Sequence, residues 1–389
     1  MAGNGPVRRG ALSLPARGRL DAEVLRFGVP QRGRIGEQAL PFLESCGLRV
    51  RKESERQLTA GIDGLPGVTV ILQRAEDILR QVADGKADIG ITGMDIVHEV
   101  LGERGDVVVL HDNLGFSASE LVVAVPDSWI DVSTVADLAD VAIEMRERGD
   151  ELRVATSFPN LARRFFYAHG ITHFSFVQLT GGVEAAPGVG FADVVVDVTS
   201  TGTTLKENRL KVLRNGTVFQ SHACLVGNRR ALAEHREKRE LTRRILELIE
   251  ARLRAQEYFS ITANLQGASE RDVARALLQS PATHGRRGPT VARVYTEEDL
   301  VRAGSGEPGW FAATIIVGAA DLQAAVDHLR AVGGSGISVV PLRYLFNQRS
   351  ERYEAMLVEL GLRPAPAPPA GEGKGATGAT SAAERLAPS

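Results

Sequence analysis

EAAPGVGFADVVVDVTSTGTTLKEN, residues 184–208, sets an apolar strand directly against a helix start. The run Val194 to Val198 is apolar except for Asp197, which reads as a buried strand carrying one acid near its end. It leads straight into Ser200, Thr201, Gly202, Thr203 and Thr204, and a helix begins at Leu205. A helix N-terminus carries unpaired backbone N–H groups and a partial positive charge. Hydroxyls and a glycine that lets backbone approach closely complete a cradle for a phosphate monoester. The loop is not a Walker A motif, because it has no Gly-Lys-Ser/Thr. A plainer reading stays open: Thr201 to Thr204 only cap a helix, and Asp197 is a turn residue.

The flanking sequence alternates strands and helices. LRFGVP (25–30) reads as a strand, followed by a turn at Gln31-Arg32-Gly33-Arg34 and a helical pattern through Ile35, Ala39, Phe42 and Leu43 up to Gly47. Pro41 inside that pattern argues against a regular helix. VTVILQ (68–73) and residues 87–92 are further strands, with a short helix between them. A second unit starts near Leu114, with SELVVAVP (119–126), RVATS (153–157), HFSFVQL (173–179) and DVVVDV (193–198) as strands. Residues 205–228 read as a return to the first unit. The expected fold class is therefore α/β, with mostly parallel sheets in two lobes and a ligand cleft between them. The expected boundaries are 24–113 with 199–257 for lobe I and 114–198 for lobe II.

Leu241, Ile245, Leu248, Ile249 and Leu253 form one helical stripe in a run rich in Arg and Glu, which predicts an amphipathic linker helix. Residues 258–350 then read strand–helix–strand–strand–helix–strand, the split βαβ, ferredoxin-like order. Residues 1–23 and 363–389 are polar or rich in Pro, Ala and Gly and are expected to be solvated tails.

Composition narrows the function classes. The 389 residues are 43% apolar and 24% charged, with a formal net charge of −2. No global basic field points to nucleic acid. No apolar run approaches the roughly 20 residues of a membrane span. Cys46 and Cys224 match no metal spacing, and a reducing cytoplasmic setting is expected.

The spacing Glu184, Gly190, Ala192, Val195, Asp197, Val198, Thr201, Gly202, Thr204, Leu205 resembles the signature of the ATP phosphoribosyltransferases, with every position filled. The resemblance extends over LGFSASELVVAVP (114–126), VATSFPNLARRFF (154–166) and ADIGITGMD (87–95), about residues 24–350 in all. It implies a two-lobed, periplasmic-binding-protein-like catalytic core and a C-terminal ferredoxin-like regulatory domain, the long form of the family. It implies transfer of the phosphoribosyl group of phosphoribosyl pyrophosphate (PRPP) to N1 of the adenine of ATP, the first step of histidine biosynthesis. Mg²⁺ as cofactor, feedback inhibition by histidine and a homo-oligomer, dimer or hexamer, are further implications.

The resemblance also distributes the candidate residues. Ser200 to Thr204 would bind the 5-phosphate, and Asp197 and Glu184 the sugar, Glu184 through a hydroxyl or Mg²⁺. In this reaction a neutral ring nitrogen attacks, so no strong general base is needed. The demand falls on the departing pyrophosphate, which cations satisfy. Arg32, Arg34 and Arg74 are the candidates, at strand ends that face the crevice in open α/β sheets. The family's lysine-bearing turn here reads Pro30-Gln31-Arg32-Gly33-Arg34. Thr92, Gly93, Asp95 and Arg56 are assigned to ATP. Asn264, Thr290 and Gly336 are assigned to the histidine effector, with Asn264 standing where relatives carry an acid. No protein ligand of the metal is named. The alternative from a different class is a non-catalytic two-lobed sensor of small molecules, which fold alone does not exclude.

Overall fold

The computed structural model describes residues 24–52, 58–100, 105–179, 181–295 and 309–364. The first compact unit takes in residues 1–44, 48–244 and 352–389, and it holds two sheets.

The first sheet is built from β1 (Leu25–Pro30), β2 (Val50–Arg51), β3 (Thr59–Ile62), β4 (Val68–Gln73), β5 (Ile89–Gly93) and β6 (Val107–His111), with α1 (Gly33–Ser45), α2 (Ala75–Ala83) and α3 (Met94–Val100) as connections. α1 runs through Pro41 without a break in assignment, although the sequence argued against it. α2 buries Ala75, Ile78, Leu79 and Val82, a helical stripe set against the strands where they carry Gly28 and Gly90. That packing is close: a Cβ on Gly90 would lie 2.4 Å from Cγ2 of Ile78.

The second sheet comprises β7 (Ser119–Pro126), β8 (Leu152–Thr156), β9 (Phe174–Gln178), β10 (Val194–Thr199) and β11 (Leu210–Ser221) in the order β11-β7-β10-β8-β9. Its helices are α4 (Val135–Glu147), α5 (Pro159–Ala168) and α6 (Thr203–Glu207). β12 (Ala223–Asn228) then enters the first sheet between β5 and β6.

The chain thus returns to lobe I at residue 223, not at 199 as the sequence suggested. β11 pairs antiparallel with β7 from Leu210↔Pro126 to Ser221↔Ser119, with two irregularities in register. Those irregularities break the period-two pattern that would have marked it as one strand of lobe II. The sheets are also mixed rather than mostly parallel, because β12 and β7 run against their neighbours. A chain that crosses and comes back enters each sheet in the opposite sense.

α7 (Arg229–Glu234) and α8 (Arg236–Ala255) follow. The first turns of α8 belong to lobe I. Lys238, 3% exposed, places Nζ 2.9 Å from Oδ1 of Asp88, which is wholly buried, and Arg26 also pairs with Asp88, at 3.0 Å. The second compact unit, residues 45–47 and 245–351, contains β13 (Tyr258–Gly267), α9 (Glu270–Leu277), β14 (Thr290–Val294), β15 (Gly309–Gly318), α10 (Leu322–Ala331) and β16 (Ser335–Pro341). Its sheet order β14-β15-β13-β16, with antiparallel pairing throughout, is the ferredoxin-like arrangement expected. Ile261, Ala263, Leu265, Val273, Phe311, Ile315 and Leu329 fill its core. α11 (Glu351–Glu359) comes back to the first unit, where Arg229 pairs with Glu359 at 2.8 Å.

Replacing Asp88 by alanine strands a buried ammonium and a guanidinium that share one carboxylate. The loss is expected to be about 3–5 kcal/mol of stability, read as a drop in the urea or guanidinium unfolding midpoint. A change under about 1 kcal/mol would show that Lys238 finds another partner.

Candidate active site

The two lobes present strand carboxyl ends to a common crevice. From lobe I come Arg32, Gly33 and Arg34 after β1, Arg74 after β4, and Asp95 and Ile96 after β5; from lobe II come Ser157 and Phe158 after β8 and Val198 of β10. Together with Ile35, Ala75 and Glu76 they line a cavity of about 450 Å³. Arg32 and Arg74 also border a second hollow of about 590 Å³, beside β4 and α2. Both arginines are exposed, so their guanidinium groups are available to an anion.

The segment connecting β6 to β7 and the junction of β11 with β12 run side by side as the two crossings. Leu114 N donates to Ala223 O at 2.8 Å, and Ala223 N donates to Phe116 O at 3.1 Å. Ser117 takes a positive φ of 56° there.

Three candidates also hold this frame. Arg34 pairs with Asp95 at 3.2 Å and donates to the carbonyl of Ser117. Asp95, 1% exposed, is neutralised by that guanidinium, and its own amide donates to Ser221 Oγ at 3.0 Å. Thr92 is wholly buried, and its hydroxyl donates to Ala75 O at 3.0 Å, which fixes the start of α2 beside Arg74. Gly93 is buried at the same strand end, where an added Cβ would meet Asp95 Oδ1 at 2.1 Å. Thr92 thus bonds within the protein, while Arg34 and Asp95 line the cavity as well as pairing with each other. Arg56 lies outside the described residues. Ser117 and Ser221, which complete this frame, had no sequence signal beyond being serines near strand ends.

The signature loop has a firm base and an open top. Beneath it, Val195, Leu205, Val183, Ala186 and Ala192 pack in one apolar cluster, which accounts for the small and apolar positions of the signature. Gly202 adopts φ +72°, a left-handed conformation that a side chain would strain. Its amide donates to Thr199 Oγ1 at 2.8 Å, and the hydroxyls of Thr201 and Thr203 lie 2.9 Å apart. Ser200, Thr201, Thr203 and Thr204 are exposed, and at the start of α6 the Thr203 amide donates to Thr201 Oγ1 at 3.4 Å.

Asp197 sits just below this loop. Burial pushes its carboxyl up to about 6, with the neighbouring charge of Glu184 adding to the rise and the Val198 amide, 2.8 Å from Oδ1, opposing it. Glu184, in the short helical turn at residues 183–185, lies near enough for its charge to act on Asp197. Among the described residues no group of three or more His, Cys, Asp or Glu side chains forms a metal cluster.

In the C-terminal unit, Asn264 and Gly336 meet where β13 pairs with β16. Asn264 is opposite Ser335, and its Nδ2 would lie 3.4 Å from a Cβ on Gly336, which has φ +57°. Thr290 lies on another rung, paired with Thr314, whose hydroxyl is 3.0 Å from that of Thr262. The three effector candidates therefore fall into a close pair and an outlying residue.

Residues 74–251 match the family model ATP phosphoribosyltransferase, and residues 255–344 match the model HisG, C-terminal domain. ATP phosphoribosyltransferase 2, chloroplastic, of Arabidopsis thaliana is 38% identical over 342 residues, 87% of this chain and 81% of the relative. The chain belongs to the ATP phosphoribosyltransferase family. ATP phosphoribosyltransferase of Bradyrhizobium sp. is 36% identical over 338 residues, 86% of this chain and 98% of the relative. A Brucella suis relative of the same name is 41% identical over 232 residues, 59% of this chain and 96% of its own length. With both family models matched in one chain, this is the long form. It is an enzyme of the first step of histidine biosynthesis, with ATP and PRPP as substrates and phosphoribosyl-ATP and pyrophosphate as products. No helix among the described residues is long and apolar enough to cross a membrane.

Asp197 also carries a pH signature. Below about pH 4 the folded and unfolded states both hold its proton and no penalty exists. Between the ordinary aspartate value of 3.8 and about 6 the folded state keeps a proton that the unfolded state has lost, so stability falls as pH rises, and the penalty is complete above that window. Asp197→Asn is expected to raise the melting temperature by about 3–6 °C at pH 8 and by much less at pH 5, while impairing turnover. Equal shifts at both pH values in calorimetry would contradict a buried carboxyl.

Proposed function

We propose that the loop from Ser200 to Thr204 grips the 5-phosphate of PRPP while Asp197 and Glu184 hold its ribose hydroxyls. Arg32 and Arg74 receive the pyrophosphate. The observation that carries this reading is that the end of β10 at Val198, two residues ahead of an exposed hydroxyl loop, lines one crevice with two exposed arginines after β1 and β4. ATP enters beside Phe158, Ile35 and Ile96, whose apolar surfaces suit an adenine ring. Thr92, Gly93 and Asp95 serve the nucleotide indirectly, by fixing Ala75 and Arg34.

In this arrangement N1 of adenine attacks C1 of the ribose, and the bond to pyrophosphate breaks. N1 offers its own lone pair, so the protein supplies alignment and charge instead of a base. Negative charge grows on the leaving oxygens, and the planar forks of Arg32 and Arg74 donate to it. Charge of the opposite sign grows on the ribose ring, where the Asp197 carboxylate, ionised above about pH 6, is favourably placed.

The divalent ion is Mg²⁺ in this reading. Two neighbouring carboxylates, one of them held protonated to unusually high pH by burial and by the other's charge, fit a cation that also rides on substrate phosphates. When bound, the ion supplies charge neutralisation to the pyrophosphate. Histidine is the feedback inhibitor, taken up by the C-terminal unit near Asn264 and Gly336, with Thr290 on the adjoining rung. Because Asn264 brings no charge to an effector's ammonium group, inhibition is weaker than with an acid there. The functional unit is a homo-oligomer, a dimer or a hexamer, and the setting is cytoplasmic. The reading keeps the domain scheme of a two-lobed catalytic core ahead of a regulatory unit at 258–350, with lobe II extended to residue 221.

Purified protein, ATP, PRPP and Mg²⁺ are expected to give phosphoribosyl-ATP, followed by absorbance, with no added subunit. Chelation by EDTA is expected to abolish the signal and Mg²⁺ to restore it; activity only after a second protein is supplied would defeat the long-form reading. Thr201→Ala and Thr204→Ala are each expected to raise the KM for PRPP by about 10-fold or more and that for ATP by much less. Arg74→Ala is expected to lower kcat by about 10²–10³. Equal weakening of both substrates by the threonine variants would remove the loop from the phosphate site.

A further inference from the structure

α5 begins in lobe II immediately after Ser157 and Phe158, which form part of the crevice wall. Its N-cap residue is Phe158, which has no side-chain oxygen to offer and makes no cap hydrogen bond. The cap comes from the other lobe. Glu99, near the end of α3, accepts from Asn160 N on Oε1 at 2.9 Å and from Leu161 N on Oε2 at 2.9 Å. Asn160 Nδ2 donates in return to the Glu99 carbonyl at 3.0 Å, and Arg164 donates to the His98 carbonyl at 3.1 Å. Burial holds the Glu99 carboxyl above its ordinary range, against the pull of those amides and of Arg163 and Arg164 on α5. His98, on the same helix, packs its ring 4.8 Å from that of Phe219 on β11.

α3 is thereby fastened to lobe II at both ends. At its start, Met94 N donates to His222 O and Asp95 N to Ser221 Oγ, both at the second crossing. Five residues on, roughly 7 Å along the helix, Glu99 closes on α5. The two attachments span the crevice wall from the crossings to the helix that carries Ser157 and Phe158.

We infer that Glu99 is a positioning residue for the transfer reaction, acting through α5 as a cap supplied from the opposite lobe. By gripping the helix that follows the crevice wall, it fixes how far the loop after β10 stands from Arg32 and Arg74. A displacement of about 1 Å between reacting groups costs on the order of 10²-fold in rate. Glu99 touches neither substrate in this account. Its removal acts on turnover more than on the affinity of either substrate taken alone.

The test pairs steady-state kinetics of the full-length enzyme with a distance measurement between spin labels, one on each lobe. Glu99→Gln keeps the size of the side chain but turns an N–H₂ group toward donors. It is expected to lower kcat by about 10- to 100-fold, to change KM for ATP and PRPP by less than threefold, and to broaden the inter-lobe distance distribution. Glu99→Asp, which retains the carboxylate on a shorter stem, is expected to recover part of the rate and part of the narrowing. Asn160→Ala removes the return bond to the Glu99 carbonyl, together with an exposed contact from Arg163, and gives a smaller loss of the same kind, readable even where Glu99→Gln fails to fold. Wild-type kcat in Glu99→Gln, or a kcat loss in any folded variant with an unchanged distance distribution, overturns the assignment.

Discussion

Asp95 is a carboxylate taken almost completely out of water, and such a group survives only with partners on every side. Its partners are Arg34 of the first helix and, through its own amide, Ser221 of the second crossing. Arg34 in turn holds the carbonyl of Ser117 on the first crossing. One ion pair therefore ties the turn after β5 to both strands of chain that join the lobes. With that knot in place, the carboxyl ends of β1, β4, β8 and β10 face one space. Loosening the knot would leave each lobe folded and the site dispersed.

The same economy explains why so many polar residues near the crevice do not touch ligand. Thr92 spends its hydroxyl on Ala75, at the start of the helix that presents Arg74. Asn113 accepts from Gly115 in the first crossing at 2.8 Å. Exposure separates the two populations. Arg32, Arg74 and the hydroxyls of Ser200 to Thr204 are accessible, whereas Thr92, Asp95, Ser117 and Ser221 are buried and bonded. A polar residue at a strand's carboxyl end is thus ambiguous until its burial is known.

That ambiguity sets what could be read from sequence. The strand from Val194, the acid at Asp197 and the loop to Thr204 were legible because the signal is local: an apolar run, a glycine at positive φ and a helix start lie within eleven residues. The ferredoxin-like order was legible for the same reason, each strand being a separate apolar run. β11 was placed in the wrong lobe because its irregular register hides its periodicity and because partner choice is a long-range property. That Arg34 and Asp95 pair with each other was not legible, because sequence shows a charge and not its counter-charge, here sixty-one positions away. The Lys238–Asp88 pair, 150 residues apart, left no trace at all.

Glu99 shows the limit most sharply. In sequence it is one acid near the end of a short helix, where an acid opposes the helix dipole and looks like an unfavourable surface choice. In the fold the relevant dipole is that of α5, in the other lobe, whose amides at Asn160 and Leu161 it receives. α5 opens with Phe158-Pro159, and the nearby Ser157, which a reading of the sequence takes as its cap, gives its hydroxyl to the Leu179 carbonyl at 2.6 Å instead. A helix that lacks its own cap at a lobe boundary asks for one from across it. Supplied from lobe I, the Glu99 carboxylate ties one wall of the crevice to the other.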